Sequence, residues 1–508
     1  MSTIRRQTII SSLLIYIGFA FGALNTYLFT RDGIFTPEQY GLTRAFIVMG
    51  QFFFGFAGFG ISSVIYKFYP YYKDNLPAQK NDLLTVGLLV SLVGFILTAS
   101  GGLLFENIVV RKFIDKSPLI LRYYYWVFPF TFFLLYFSVL ESYAWSLGKT
   151  IVPNFLREAG FRISTTLLIV LFLVTGKNFD LFIKLFSLLY AFSFVALVVY
   201  LVRLKEFNLV NQVSRVTVKF RKKILALIGF VYGGSLVNVA AQSVDFLAIA
   251  SFKGLQYGAV FDFSNYVANV IQVPQRSLVS VSISPLARAW KDKDYATIDR
   301  IYKRSSINLL LVSTFLFGII WLNYDSGVRL LGLNPIYEEG KWVFFLLGVK
   351  NIVDMGTGVN GQIIGTSTYW RFDFFSGIIL LLLIIPLNIF MVRRFGIMGS
   401  AWSGLISYLV YNTIRVLFLK FKFNLQPFSA RTVFILLNAL GSYLVAYYLF
   451  QSFTGWTGIF LRSIVFVLLF IGITLYFRLS PDLQPVLETL KKKLGIRKAV
   501  PEGIGNEQ

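Results

Sequence analysis

The chain has 508 residues, 56% of them hydrophobic and 18% aromatic, and a mean hydropathy of +0.68, a composition suited to lipid rather than water. It contains no cysteine and no histidine, which excludes disulfides, iron–sulfur clusters, thiolate nucleophiles and the commonest proton shuttle and metal ligand; no cofactor is expected. The formal net charge is +24, and in a membrane chain basic residues gather in cytoplasmic loops against anionic headgroups, so membrane lipids and not nucleic acid are their expected partners.

A helix needs about 20 apolar residues to cross hydrocarbon, and the chain divides on that ruler. The first run, 9–30, is too long for a signal-peptide core and lacks a small-residue cleavage site, so it should stay as a transmembrane helix. Spans 41–65, 83–105, 123–145, 155–175 and 182–202 follow. After a polar, basic stretch come 224–252, 257–283, 306–324, 341–365, 372–392 and 397–419. Two more, 432–453 and 458–477, precede a basic tail with Lys491, Lys492 and Lys493. The expected fold class is an all-α polytopic membrane protein of about fourteen transmembrane helices, arranged six, six and two. Its parts read as an N-terminal six-helix lobe (1–203), a cytoplasmic basic linker (204–223), a C-terminal six-helix lobe (224–420), two additional helices (421–478) and a cytoplasmic basic tail (479–508).

The halves share a plan. Arg5-Arg6, an apolar run, Gln39-Tyr40-Gly41, a second apolar run, Pro70 and Lys73-Asp74 occur in the first. Arg221-Lys222-Lys223, an apolar run, Gln256-Tyr257-Gly258, another apolar run, Pro285 and the charged stretch 288–294 occur in the second. That shared order argues for an internal duplication and two pseudo-symmetric lobes. Lys and Arg concentrate at 215–223, 288–304, 420–431 and the tail, all on one side, with the loop of Arg111, Lys112 and Lys116 as the exception. The bias puts both termini in the cytoplasm. No outer loop is long enough for a folded domain.

Ser243-Val244-Asp245-Phe246, Gly254-Leu255-Gln256-Tyr257-Gly258 and Pro285, set in two six-helix halves joined by a linker, resemble the multidrug/oligosaccharidyl-lipid/polysaccharide exporter superfamily. Its bacterial polysaccharide-biosynthesis (O-antigen type) flippases are the nearest branch, and the resemblance covers almost the whole chain. It implies helical lobes around a central cavity and alternating access in the bacterial inner membrane. It also implies passage of an undecaprenyl-diphosphate-linked oligosaccharide to the outer leaflet, alongside other polysaccharide-assembly proteins. The last pair of helices, 434–477, would then form a groove for the lipid tail. One alternative is a cation-coupled multidrug exporter of the same fold, although the acid such exporters often carry in the first helix is missing from 9–30. A membrane glycosyltransferase or polymerase is the other, and it would need a large outer loop.

No enzyme is expected. Gly148-Lys149-Thr150 imitates the end of a phosphate-binding loop, but Tyr143 stands where that loop requires glycine. Gly356, Gly358 and Gly361 spell GxGxxG inside an apolar span that also carries Asn351, Asn360 and Gln362. There the glycines suit close packing and a bent or discontinuous tenth helix.

Ionisable residues within spans are the informative ones, because burying them in lipid is costly unless they meet a cavity or a partner. The basic candidates for binding an anionic headgroup are Arg276, Arg157, Arg44 and Lys350. Snorkelling is the plainer account of Arg276, and Lys350 has Asp354 four residues on. Glu141, Asp245 and Asp262 are the candidates for coupling or gating. Glu141 is either a titrating group or the partner of Arg157, and pairing is the commoner fate of a buried charge. Arg44 and Asp262 hold near-equivalent places in the two repeats, three residues after Gly41 and four after Gly258. They would meet near the outer mouth as an opposite-charge gate.

Overall fold

The computed structural model describes residues 3–480 and Asp482. The basic tail with Lys491, Lys492 and Lys493 lies outside the described residues. All regular structure described is helical, as bilayer-embedded backbone demands, apart from one isolated antiparallel bridge between Arg31 and Leu333.

Helix α1 (Thr3–Thr30) is followed by α2 (Pro37–Ala57). Thr36 and Gln39 exchange backbone and side-chain hydrogen bonds at the start of α2, with Pro37 in the first helical turn. The second span does not run straight to residue 65 as expected. It breaks after Ala57, and α3 (Ile61–Asn75) leaves at 50°. Phe59 and Gly60 adopt left-handed backbone there, with φ of 44° and 64°, and a side chain on Gly60 would strike Val231 at 2.8 Å. Next come α4 (Leu83–Leu104), the short α5 (Glu106–Phe113) and α6 (Pro118–Arg122), and α7 (Val127–Ser146). The fifth span is interrupted: α8 (Ile151–Phe155) passes through a π-helical turn, Leu156–Gly160, into α9 (Phe161–Val174). Helices α10 (Phe179–Ser187) and α11 (Leu189–Arg203) complete the first six spans.

The linker is shorter than expected. Only 204–214 is irregular, because Ser214 caps α12 (Arg215–Phe252) and the basic stretch 215–223 forms its first turns. The carboxylate of Asp82 accepts from Ser214 N at 2.8 Å and from Thr217 Oγ1 at 2.7 Å, anchoring an acid at the positive end of that helix. The eighth span is split into α13 (Leu255–Val270) and α14 (Val273–Lys291), and α15 (Tyr295–Leu330) extends well beyond the apolar run 306–324. The tenth is discontinuous, as its glycines indicate: α16 (Lys341–Gly356) and α17 (Asn360–Thr366) meet at 44° around Gly358, whose φ is 65°. Then follow α18 (Trp370–Phe395), α19 (Ile397–Phe423), α20 (Ala430–Phe450) and α21 (Gly455–Tyr476).

Broken helices expose carbonyls that lipid cannot satisfy, so neighbours must do so. Asn351 Nδ2 donates to Ala268 O at 2.8 Å near the end of α13, and Ser306 Oγ donates to Gly356 O at 2.5 Å at the end of α16. Among the described residues, nine helices are long and apolar enough to cross a membrane, or up to eleven if each of the two bent pairs counts as one. The other three expected spans are α1, the π-interrupted fifth and the split eighth.

The repeat is visible in three dimensions. Gln39-Tyr40-Gly41 and Gln256-Tyr257-Gly258 both lie at the start of helices that break and resume in a segment containing a proline, Pro70 in α3 and Pro285 in α14. A side chain on Gly41 would run into the Leu255 backbone, and one on Gly258 would meet the Phe246 ring at 2.9 Å. The shared glycine therefore serves close helix approach.

Packing divides the chain into two compact units that do not follow the linear lobes. One comprises residues up to 263 with 332–340 and 384–403; the other comprises 264–331, 341–383 and 404 onward. The core of the first joins Phe68 and Tyr72 of α3, Leu84 of α4, Phe137 and Leu140 of α7 and Leu201 of α11. In the second, Ile435, Phe466 and Phe470 seat α20 and α21 against Leu310 and Leu311 of α15.

Candidate functional site

In the first unit, the π-helical turn carries Arg157 to Glu141 of α7. Arg157 Nε donates to Glu141 Oε1 at 2.5 Å, and Nη2 donates to Oε2. The Glu141 side chain is 2% exposed and that of Arg157 43%. A carboxylate buried this deeply needs a partner, and the bidentate pair provides one. Arg157 is therefore committed to Glu141 rather than standing as a free cation for phosphate. The pair opens on a cavity of about 360 Å³, whose walls include Gln51, Ser62, Tyr66, Trp145 and Gln242.

Arg44 and Asp262, matched by the repeat, also meet. Arg44 Nη2 lies 2.8 Å from Asp262 Oδ1, and Tyr40 OH donates to Oδ2 at 2.8 Å. Arg44 Nε is buried without a hydrogen-bond partner, so one donor stays unsatisfied while the pair is closed. The loops at this end are tied as well. Asp32 N donates to Gly332 O, and Asn334 N donates to Thr30 O, each at 2.9 Å.

Asp245 of α12 is held by uncharged groups of α18 and α19. Its Oδ1 accepts from Asn388 Nδ2 and, at 2.8 Å, from Ser400 Oγ. Asn388 is fully buried and its Oδ1 has no hydrogen-bond partner.

The remaining candidates belong to the second unit. Arg276 on α14 is exposed, and among the described residues no hydrogen bond or ion pair to it is found. The Lys350 ammonium sits 5.2 Å from the centre of the Tyr408 ring. Asp354 accepts from Gln275 Nε2 at 3.2 Å and Asn412 Nδ2 at 3.1 Å. A cationic cleft of about 510 Å³ opens between the first turns of α15 and α20, lined by Arg300, Lys303, Arg304 and Arg431 among others. Of the seven candidates, the structure pairs Arg157 with Glu141 and Arg44 with Asp262.

Sequence comparison finds no matching family profile and no matching curated protein. Solved structures do match. The lipid II flippase MurJ, in an inward closed conformation, gives a TM-score of 0.72 at 15% identity, covering 92% of this chain and 99% of that one. An inward-facing multidrug resistance MATE transporter of the MOP superfamily gives 0.61 at 14% identity, covering 82% and 97%. A MATE transporter in complex with MaL6 gives 0.54 at 14% identity, covering 82% and 95%. The fold is like that of these membrane transporters.

Within this fold, the chain is a multi-pass membrane protein with ionisable residues that sequence reading passed over. Arg415 of α19, in the span 397–419, is 9% exposed in its side chain and paired with Asp373 of α18. Its guanidinium lies 4.1 Å from the centre of the Tyr411 ring, and its Nε donates to Ser376 Oγ at 3.1 Å. Arg462 of α21 is likewise buried, donating to Gly458 O at 3.1 Å and Ser326 Oγ at 2.7 Å. Their position within apolar spans was the available signal; their partners were not readable.

Proposed function

We propose that this protein is a flippase that carries a lipid-linked oligosaccharide, anchored through an undecaprenyl-diphosphate type of headgroup, to the outer leaflet of the bacterial inner membrane by alternating access. The observation that carries this reading is the extent of the match to the lipid II flippase, 92% of the chain against 82% for the two MATE transporters. Helices α20 and α21, within 430–476, are packed on α15 rather than appended.

The chemistry agrees. A diphosphate suits clustered guanidinium groups, which donate in bidentate fashion. The cleft of Arg300 and Arg431, where Arg304 pairs with Asp482, lies on the expected cytoplasmic side, and exposed Arg276 adds a further cation. Coupling to a cation gradient would act through Asp245, held by Asn388 and Ser400.

The test is reconstitution of the full chain in liposomes carrying undecaprenyl-diphosphate N-acetylglucosamine, with the sugar detected at the outer surface. Protein-dependent appearance of the sugar is expected, and it should fall in Arg276→Ala and Arg431→Ala. Export of a cationic dye without lipid movement would instead assign the chain to multidrug export.

A further inference from the structure

Two cavities meet α2 over the same two turns. Phe52, Phe53 and Phe56 line an apolar cleft of about 470 Å³, closed by residues such as Phe105 and Tyr232. Gln51 and Phe54, one helical step of three apart, line the cavity that holds Glu141 and Arg157. The first cleft has the chemistry of an acyl or isoprenoid chain. The second does not.

Nor does the second cavity suit a bare anion. Its cation is already bound in bidentate fashion by Glu141. Much of the rest of its polar lining is uncharged, from the amides of Gln51 and Gln242 to the hydroxyls of Ser62, Ser142 and Tyr66. Gln242 Nε2 donates to Asn238 Oδ1 at 2.7 Å, which fixes the orientation of its amide. Tyr66 and Trp145 stack at 6.1 Å with 15° between their planes, making a flat aromatic wall. Trp145 Nε1 is buried with no hydrogen-bond partner, although a buried indole N–H ordinarily finds one.

Sugar hydroxyls both donate and accept, so they are read by amides, hydroxyls and paired ions that can do the same. The C–H faces of a pyranose pack on aromatic planes. A volume of about 360 Å³ is at the small end of ligand pockets, which run from about 300 to 1,000 Å³. That suits a monosaccharide unit rather than an extended chain.

We propose that this cavity reads the glycan of the transported lipid by binding a neutral or N-acetylated monosaccharide unit. Gln51, Gln242 and the Glu141–Arg157 pair recognise its hydroxyls, and the Tyr66–Trp145 wall receives its apolar face. The proposal rests on the flippase reading and sharpens it: sugar and diphosphate are recognised by different groups, with Arg157 serving the sugar.

The experiment compares two lipids in liposomes containing the full chain, undecaprenyl-diphosphate N-acetylglucosamine and sugar-free undecaprenyl diphosphate. Gln51→Met and Gln242→Met keep side-chain volume while removing the amide, and Trp145→Phe keeps the ring while removing the donor. Each should raise the half-saturating concentration of the sugar lipid roughly tenfold, as expected for one lost hydrogen bond, and leave movement of the sugar-free lipid unchanged. If wild type moves neither lipid, the flippase reading falls and the glycan site falls with it. If wild type moves the sugar lipid but the variants match it, or lose both lipids in parallel while melting normally, the flippase reading stands and the glycan site is overturned.

Discussion

Each compact unit contains an arginine–carboxylate pair within the apolar spans, and the two pairs differ in what surrounds them. Arg415 is enclosed: Asp373 pairs with it, Ser376 accepts from Nε, Tyr411 lies against its plane, and Asn360 Oδ1 accepts from Nη1 at 3.4 Å. Arg157 is bound on one edge by Glu141 and open on the other to a cavity, so its side chain is 43% exposed against 9% for Arg415. The first pair ties α18 to α19, with the arginine buried and Asp373 on the open side at 37% exposed. The second pair joins α7 to the π-helical turn and leaves room for a ligand. A charge in a membrane span therefore identifies a functional site only together with the space beside it.

Removing the partner of the enclosed arginine should have the largest effect. Asp373→Ala leaves Arg415 buried and uncompensated, a loss of about 3–5 kcal/mol, and the apolar double variant Asp373→Leu with Arg415→Met should regain most of it. Denaturation midpoints of the detergent-solubilised chain measure both. If the single variant melts like wild type, the enclosed pair contributes little and the contrast with Arg157 loses its basis.

The open pair should cost less to disturb. Glu141→Gln keeps a hydrogen-bond acceptor beside a water-accessible guanidinium, so a loss of about 1 kcal/mol is expected in the same melts. A destabilisation equal to that of Asp373→Ala would mean that the cavity does not hydrate Arg157.

The Arg44–Asp262 pair extends the series to a bond that a gating role would require to open. Its side chains are 33% and 12% exposed. Arg44→Asp and Asp262→Arg should each slow lipid movement in liposomes, and the charge-swapped double variant should recover part of it. Absence of recovery in a double variant that folds would remove the gate.

The smallest effect belongs to the solvent-facing limit, Asp294, which caps α15. Hydrogen bonds from Thr297, including its backbone N at 2.9 Å, hold this carboxyl below the usual carboxylate range. A depressed folded-state pKa adds stability above the unfolded pKa, near 3.9, and that contribution is lost as pH falls through the folded value. Asp294→Asn, which can still cap, should flatten that slight acid-side dependence of the melting temperature. An unchanged pH profile in the variant would show that the cap does not depend on charge.

Much of this architecture was written locally. Span positions, the bend at Gly358 and the helix-start glycines Gly41 and Gly258 follow from hydropathy and from backbone freedom, which are properties of short windows. The encounter of Arg44 with Asp262 was readable only because the repeat supplied a correspondence between distant segments. The break at Phe59 and Gly60 was missed because an apolar run reads as one span whether or not it bends, and the fit of Gly60 depends on Val231, far along the chain. Arg415 with Asp373, and Asp245 with Asn388 and Ser400, were likewise beyond a linear reading. The sequence by itself determined that this chain lies in lipid, about where it crosses, and which charges must find partners, because transfer into hydrocarbon is tested residue by residue. Tertiary structure alone decided which partner each charge found and which pair kept a cavity beside it, because those depend on which helix faces meet.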